Sequence, residues 1–226
     1  EVAYNVVNAQ MGRGKTELLL AFGISSVAQT LGKLATDVCL YSSQNFGFVQ
    51  LPNELTTGSS IMPHKKNPDV FELVRGRCNL LMSLPAQISQ LLGNQPSGYH
   101  RDFQLLKEAI FPALDQLEDC LAIVQYALPR MEVRGQDLPN DDRYRYLYSV
   151  EAVNKLVLSG TPFRDAYLQV GRDIEAGDFE PPTELNHTHL GSLGNLANDE
   201  IRQKLEVVME GFDFERAKDA MNSLLK

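Results

Sequence analysis

Residues 57–68, with the sequence TGSSIMPHKKNP, combine side chains and backbone features that suit the binding of an anion. The start, Gly58-Ser59-Ser60, lets the backbone bend tightly, and successive amides in such a bend form a concave donor site. Lys65-Lys66 adds positive charge, and Asn67-Pro68 suits the N-cap and first position of a helix whose positive end points back at the loop. These features predict a site for a carboxylate or phosphate, although a basic loop before a capped helix has the same composition.

A second group of polar residues lies at residues 99–107. Asp102 can cap a helix that starts there, and Gln104 and Lys107 would then be i,i+3 neighbours on one helix face. An amide and an ammonium on the same face could hold a carboxylate or an amino-acid group. By itself, such a pair is more often part of a solvated helix surface.

Three long helical patterns must position these two groups. They run from residue 16 to about 43, from 69 to about 92, and from about 102 to 128, with apolar residues at three- and four-residue steps. Small residues in the first pattern predict a central helix that contacts several neighbours. Pro85 should kink or divide the second helix, and Pro112 should bend the third. Long helices with short connections predict an antiparallel bundle.

After Pro129 the helical patterns become shorter, which predicts a second domain. A polar connector places the boundary so that residues 1–137 form part of a central bundle domain and residues 138–226 a small domain. Helices are predicted at 143–158, 163–176 and 213–225, with a weaker one near 199–210. No strand pair is evident, so the predicted fold class is all-α: a long antiparallel helical bundle followed by a small helical C-terminal domain.

Composition limits the classes of function. The net charge of −8 argues against nucleic-acid partners, so an anionic substrate must be held by local positive groups. Cys39, Cys78 and Cys120 lie in apolar helical runs and fit no metal spacing, which predicts reduced core thiols and a cytoplasmic protein. His187 and His189 lack an obvious third ligand, so no metal is predicted. No apolar run of transmembrane length and no signal peptide are evident, so no membrane association is predicted.

The pattern Gly58-Ser59-Ser60-x-Met62-Pro63-x-Lys65-x-Asn67 resembles the signature loop of the fumarase/aspartase superfamily. Members of this superfamily are lyases that release fumarate, or a close analogue, from a succinyl compound. The continuation Lys66-Asn67-Pro68-Asp69, followed by Glu72-Leu73, is similar to the argininosuccinate lyase branch. The resemblance extends from about Thr16 to the C-terminus but covers only the later half of the family's polypeptide. It therefore implies a C-terminal portion.

Elimination across a succinyl group removes a weakly acidic proton next to a carboxylate, so it needs a base, an acid and stabilisation of a dianion. The resemblance implies that Ser59 abstracts the proton, that Lys65 holds the substrate carboxylate and developing charge, and that Glu72 orients the catalytic histidine. Each has an ordinary alternative: a turn serine, a solvated lysine or a surface glutamate. The resemblance also implies that the substrate is bound by Ser60, Asn67, Tyr99, Gln104 and Lys107, the last three at its amino-acid end.

The chain departs from the family in three respects. None of its four histidines matches the family's catalytic histidine, and His64 fills a variable position of the loop. Gly14-Lys15-Thr16-Glu17 stands where these lyases commonly show Ser-x-Arg-Asp, so substrate contacts from that turn are not carried over. The family's N-terminal domain and early bundle helices have no counterpart in a chain that begins at Glu1. The chain alone is therefore expected to be inactive.

For the whole enzyme, the resemblance implies cleavage of argininosuccinate into arginine and fumarate by anti elimination through a carbanion, in cytoplasmic arginine biosynthesis. It implies no cofactor and a homotetramer in which each active site draws on three subunits. Two alternatives stay open. The substrate could be adenylosuccinate, aspartate or fumarate, against which Tyr99, Gln104 and Lys107 argue. The protein could also have a structural role, as the delta-crystallins do.

Overall fold

The computed structural model describes residues 6–62, 64–134, 141–182 and 187–223. Most of these residues are helical, which confirms the predicted all-α fold class. In chain order the helices are α1 Val6–Met11, α2 Lys15–Tyr41, α3 Asp69–Met82, α4 Leu84–Leu91, α5 Leu105–Ala127, α6 Ser149–Leu158, α7 Phe163–Ala176, α8 Asn198–Glu210 and α9 Phe214–Ser223. Short 3-10 turns lie at Asn53–Leu55, Arg101–Gln104, Leu128–Arg130 and Asp142–Tyr144.

The first of two compact units, Glu1–Leu138, is built around α2. This helix packs against α3, α4 and α5, which confirms the expectation of a central helix with several neighbours. Small residues allow close packing there, because a Cβ built on Gly32 would lie 3.4 Å from the Cβ of Cys78 on α3. The assignment of this unit to a larger central bundle domain stays a prediction. The largest wholly buried side chains in the unit are those of Phe71, Ile88, Leu106, Cys78 and Cys120.

Pro85 divides the second predicted helix into two. The first part, α3, ends at Met82, and α4 begins at Leu84, with Pro85 in its first turn. Proline is tolerated at this position because the backbone donor that it lacks would have no partner there. Pro112 lies inside α5, which continues on both sides of it.

Two pairs of two-residue strands contradict the expectation that the chain has no strand pair. Strand β1, Val49–Gln50, pairs with β4, Glu132–Val133, and β2, Thr57–Gly58, pairs with β3, Lys66–Asn67. Both pairs are antiparallel. Strands this short show no alternation that a sequence pattern can detect. Their effect is local, since β2 and β3 join the two ends of the signature loop, residues 57–68.

Three predicted element boundaries are wrong. Asn67 does not cap α3, because its backbone belongs to β3 and Pro68 occupies the N-cap position instead. Asp102 does not cap α5; it lies in a 3-10 turn, and Gln104 is the N-cap residue. The helix predicted at 143–158 begins only at Ser149, after a separate 3-10 turn.

The second unit, Pro139–Lys226, has a small core between α6 and α7. Its buried apolar residues are Val153, Ala166, Val170 and Phe179. The guanidinium of Arg145 donates hydrogen bonds of 2.6 and 3.2 Å to the carbonyl oxygen of Phe179, which fixes the chain after α7. Helices α7, α8 and α9 confirm the predictions for 163–176, 199–210 and 213–225, except that residues 224–226 lie outside the described ranges.

Helix α2 is long and apolar enough to cross a membrane by length and composition alone. The expectation that no segment reaches transmembrane length is therefore wrong. The finding is weak support for a membrane span, because the core helix of a soluble protein passes the same test. In this structure α2 is the helix on which three others pack.

The cysteines confirm the predicted reduced thiols. All three are free; Cys78 and Cys120 are buried, and Cys39 is half-buried. Burial, together with a smaller effect of the neighbouring Cys120, raises the pKa of Cys78 to about 11. Because the thiolate is the reactive form, Cys78 is a packing residue at neutral pH.

Candidate active site

The signature loop leaves and rejoins the first unit through the β2–β3 pair. Thr57 lies opposite Asn67 in this pair, and Gly58 lies opposite Lys66. Two side-chain hydrogen bonds secure the base of the loop: the Thr57 hydroxyl donates to the Asp69 carboxylate, and the Lys66 ammonium donates to the side-chain oxygen of Asn53. The two ends of the loop are thus held together, and the tip projects from them. Pro63, within the tip, lies outside the described residues.

Ser59 is half-buried just after β2, with its hydroxyl turned toward the backbone of the loop tip. Its Oγ accepts hydrogen bonds from the backbone N–H groups of Ile61 and Met62, both at 3.2 Å. Donors aimed at an oxygen stabilise negative charge on it, which a serine requires in order to act as a base. The local fold therefore supplies two fixed donors at the predicted catalytic oxygen.

The other predicted loop residues lie on the same short segment. Ser60 and Lys65 are exposed, and Asn67 is half-buried in β3. The backbone N–H of Lys65 donates to the carbonyl oxygen of Met62 at 3.1 Å, which closes a turn just before β3. The structure thus brings Ser59, Ser60, Lys65 and Asn67 together between β2 and β3.

Glu72 is exposed in the first turn of α3, where its backbone N–H donates to the carbonyl oxygen of Pro68 at 3.0 Å. Its carboxylate also acts on Cys39 of α2. Burial raises the pKa of Cys39, Arg75 opposes this effect and Glu72 adds to it. The structure therefore places Glu72 beside α2, one helical turn beyond the signature loop. Its role in orienting a histidine stays a prediction.

The second predicted group is assembled at the start of α5. The side-chain amide nitrogen of Gln104 donates a 2.6 Å hydrogen bond to the Tyr99 hydroxyl oxygen. The Tyr99 ring lies 6.0 Å from the ring of Phe103, which is buried and anchors the segment. Lys107 is exposed about one turn further along α5. The structure brings Tyr99 and Gln104 into direct contact and leaves Lys107 free to reach outward from the same end of the helix.

Arg13 joins this second group, although the sequence patterns did not indicate it. Its guanidinium carbon lies 5.8 Å from the centre of the Tyr99 ring and 5.9 Å from that of Phe103. Its Nε lies 3.7 Å from a carboxylate oxygen of Glu17, the (i,i+4) neighbour. This spacing was the only sequence signal, and it could not indicate contact with rings that lie 86 and 90 positions later. Arg13 adds a positive charge to the surface that Tyr99 and Gln104 form.

The turn that carries Arg13 is held by two features of Gly14. Its backbone N–H donates to the other carboxylate oxygen of Glu17 at 2.9 Å, which caps the start of α2. Gly14 also has φ of +87°, and a Cβ at this position would lie 2.1 Å from a methyl carbon of Leu92. Glycine is required here by conformation and by space. The turn where the sequence departs from the family pattern is therefore a rigid element of this fold.

Two of the four histidines lie in the first unit and two, which are neighbours, lie in the second. His64 is exposed in the signature loop, and Nε2 of His100 lies 2.8 Å from the carbonyl oxygen of Pro96. In the second unit, His187 is paired with Glu151 at 2.9 Å and its ring lies 5.6 Å from that of His189. Among the described residues, no group of three or more His, Cys, Asp or Glu side chains has an arrangement that could hold a metal ion.

Comparisons with known proteins agree on one family. A family model described as "Lyase" matches residues 5–82. The argininosuccinate lyase of Parabacteroides distasonis is 54% identical over 222 residues, which is 98% of this chain and 50% of that protein. The argininosuccinate lyase of Thermotoga neapolitana is 39% identical over 75% of this chain and 42% of that protein. The chain thus spans about half the length of the curated relatives that it matches.

Solved structures support the same fold. A class II fumarase from Schistosoma mansoni matches with a TM-score of 0.65 and 19% identity, over 78% of this chain and 36% of that one. A 3-carboxy-cis,cis-muconate lactonizing enzyme from Pseudomonas putida matches with a TM-score of 0.58 and 21% identity, over 71% of this chain and 36% of that one. At these identities the matches establish the fold alone. The relatives of high identity and the family model confirm the predicted resemblance: the chain belongs to the fumarase/aspartase superfamily and, within it, to the argininosuccinate lyase family.

Proposed function

We propose that this chain is the C-terminal part of an enzyme that cleaves argininosuccinate to arginine and fumarate by anti elimination through a carbanion, in arginine biosynthesis and without a cofactor. The observation that carries the proposal is the Ser59 hydroxyl, which accepts two backbone N–H donors inside the signature loop. The identity of 54% to argininosuccinate lyases over almost the whole chain supports the choice of substrate.

In this proposal, Ser59 removes the proton from the carbon next to the reacting carboxylate. The electron pair left behind moves into that carboxylate and forms a dianion, which Lys65 and the donors of the loop stabilise. Ser60 and Asn67 bind the same end of the substrate. The pair then forms the double bond of fumarate as the carbon–nitrogen bond breaks, and a general acid protonates the departing nitrogen. That acid is a histidine oriented by Glu72, and it comes from outside residues 1–226.

The arginine end of the substrate binds at Tyr99, Gln104 and Lys107. The contact between Gln104 and the Tyr99 hydroxyl supports this assignment, because the hydrogen bond fixes the orientation of both polar groups. Lys107 supplies the charge that a substrate carboxylate requires, and it is exposed at the same end of α5. In water, one charged hydrogen bond of this kind contributes about 1.5–3 kcal/mol, so the group acts on affinity more than on the chemical step.

The whole enzyme is proposed to be a cytoplasmic homotetramer that binds neither nucleic acid nor a membrane. Support comes from apolar side chains that project from the helices of the first unit, among them Leu19, Phe22, Leu80 and Phe111. Exposed apolar surface on this scale indicates contact with further helices. In the proposed tetramer, those helices come from the rest of the polypeptide and from other subunits.

The test is Ser59→Ala in the full-length protein, followed through the absorbance of fumarate. We expect kcat to fall by about 10²–10⁴-fold, which is the usual loss when a general base is removed, while substrate binding is largely kept. Ser159→Ala serves as the control, since this serine lies at the end of α6, exposed, with its hydroxyl donating to the carbonyl oxygen of Leu156.

The same assay separates the alternatives. Fumarate release from adenylosuccinate or aspartate in preference to argininosuccinate would keep the fold and Ser59 but replace the substrate. A Ser59→Ala enzyme that keeps more than about a tenth of the wild-type kcat would remove Ser59 from the role of base. Absence of any lyase activity in the intact full-length protein would favour a structural role.

A further inference from the structure

A basic cleft of about 340 Å³ lies on the first unit beside the signature loop. Its walls come from the end of α2, the segment around β1, the residue after β4 and the second half of the signature loop. This half, residues 64–68, is called the return arm below. The volume lies within the range of about 300–1,000 Å³ that is usual for sites of small ligands. The cleft is therefore large enough for a small ion with its remaining water.

The cleft is separate from the side of the loop that carries the proposed catalytic groups. His64 and Lys66 line it, whereas Lys65 and Asn67, which alternate with them, are not among its lining residues. Lys66 and Asn67 are consecutive residues of β3, so their side chains point to opposite faces of that strand. The return arm of the signature loop thus carries two sets of polar groups. Lys65 and Asn67 serve the proposed elimination, and His64 and Lys66 face the cleft.

The charges that line the cleft are positive. Lys66 and Arg134 contribute two cationic groups, and the described lining residues include no carboxylate. Arg134 forms a 3.1 Å ion pair with Glu132, but both side chains are at least half exposed, and such surface pairs contribute little. A guanidinium has five N–H donors and an ammonium has three, so both groups keep donors after bonding to Glu132 and Asn53. The cleft is a local positive site in a chain of net charge −8.

Neutral polar groups also line the cleft, but the Ser42 and Thr56 hydroxyls donate to the carbonyl oxygens of Cys39 and Asn53. The hydroxyl-bearing residues Ser42, Ser43 and Thr56 line the cleft, as does Pro68, the N-cap residue of α3. The positive end of α3 therefore borders the cleft. Ser42 is the C-cap residue of α2, whose end carries the opposite partial charge. Because the two helix ends oppose each other, the net attraction for an anion must come from Lys66 and Arg134.

We propose that this cleft binds a small tetrahedral dianion, of the inorganic phosphate type, held by Lys66 and Arg134. Binding would join β4, which carries Arg134, to the return arm of the signature loop. It would thereby hold the loop through Lys66, on the face of β3 opposite Asn67. Nothing in this inference depends on the identity of the lyase substrate.

The test is a titration of the isotopically labelled chain with inorganic phosphate, followed by backbone amide NMR at constant pH and constant ionic strength, because salt screens such contacts. We expect saturable shifts at Thr56, Lys66 and Arg134. Lys66→Gln and Arg134→Gln should each weaken binding about tenfold, as the loss of a charged hydrogen bond predicts. Lys65→Gln is the matched control, since it removes the adjacent lysine of the same loop, and its affinity for phosphate should be unchanged.

A second arm uses fumarate and the full-length protein, because the proposed elimination site that would bind this planar dianion is incomplete in the 226-residue chain. Loss of fumarate binding in Lys65→Gln together with unchanged phosphate binding would show that the two anions occupy different sites, as we infer. Absence of saturable shifts up to about 10 mM phosphate would overturn the proposal, because a dissociation constant above this concentration is too weak for a specific site. An equal loss of phosphate affinity in Lys65→Gln and Lys66→Gln would also overturn it. Chloride at the same ionic strength should produce no saturable shift.

Discussion

At the scale of single residues, the proposed role of Ser59 as a base depends mainly on the backbone. A serine hydroxyl acts as a base only if its alkoxide is stabilised. The proposal gives no carboxylate–histidine pair of this chain the task of activating Ser59. The N–H groups of Ile61 and Met62 already point at Ser59 Oγ before a substrate is present. Fixed donors of this kind are effective because they need no reorganisation during the reaction. The side chains at positions 61 and 62 matter less for this purpose than the bend of the loop.

Arg13 supplies a test of the second group at the same scale. Arg13→Gln in the full-length protein should raise KM for argininosuccinate about 2- to 30-fold with a much smaller change in kcat, the range that a cation–π contact predicts. The reason is that the guanidinium lies over the Tyr99 ring and so positions a residue that we propose to bind the substrate, not one that we propose to act on the reacting atoms. Arg13→Lys should recover only part of the affinity, because an ammonium lacks the planar contact.

The control for Arg13 is Arg172→Gln on α7, where the guanidinium nitrogen Nε donates to the carbonyl oxygen of Leu168 at 3.2 Å. Its KM should equal that of the wild type. A fall in kcat with unchanged KM in Arg13→Gln would contradict the positioning role, as would equal effects of the two substitutions.

At the scale of elements, the turn before α2 depends on one glycine. Gly14→Ala should lower the free energy of unfolding of the first unit by about 2–4 kcal/mol, since it adds both a left-handed backbone penalty and a steric overlap with Leu92. Urea unfolding followed by far-ultraviolet circular dichroism measures this change. Gly76→Ala, inside α3 with open space around its Cβ, is the matched control and should be stabilising by about 0.5–1 kcal/mol. Equal stabilities of the two variants would contradict the packing role of Gly14.

The same elements show what sequence reasoning can supply. Helices α2 and α5 follow from apolar residues at three- and four-residue steps, and the signature loop follows from its string of small and basic residues. The two strand pairs could not be predicted, because β2 and β3 have two residues each and their pairing depends on the loop between them. The contact of Arg13 with Tyr99 depends on how α2 and α5 pack, which no local pattern encodes. The capping role given to Asn67 failed for a related reason, since its backbone is committed to β3.

At the scale of the whole molecule, the apolar surface of the first unit is too large for an isolated bundle. Phe22 and Leu19 on α2 are 55% and 65% exposed, and Phe111 on α5 is 59% exposed. Fully burying such a side chain contributes about 1.5–3 kcal/mol, so covering several of them is a substantial driving force for association. The relatives of this chain are about twice its length, and the additional polypeptide is the proposed occupant of these faces.

The proposed origin of the general acid outside residues 1–226 leads to the last prediction, which concerns the 226 residues as a unit. The chain alone should release no fumarate from argininosuccinate, even where it self-associates, because the proposed general-acid histidine would be missing from every copy. Groups that act together lose most of their effect when one is removed, so Ser59 and Lys65 cannot sustain turnover by themselves. The measurement is fumarate absorbance with purified chain, with and without the separately expressed remainder of the full-length protein. Activity should appear only in the mixture and should vanish when Ser59→Ala replaces the wild-type chain. Fumarate release by the chain alone, above its Ser59→Ala control, would show that a group within residues 1–226 acts as the acid.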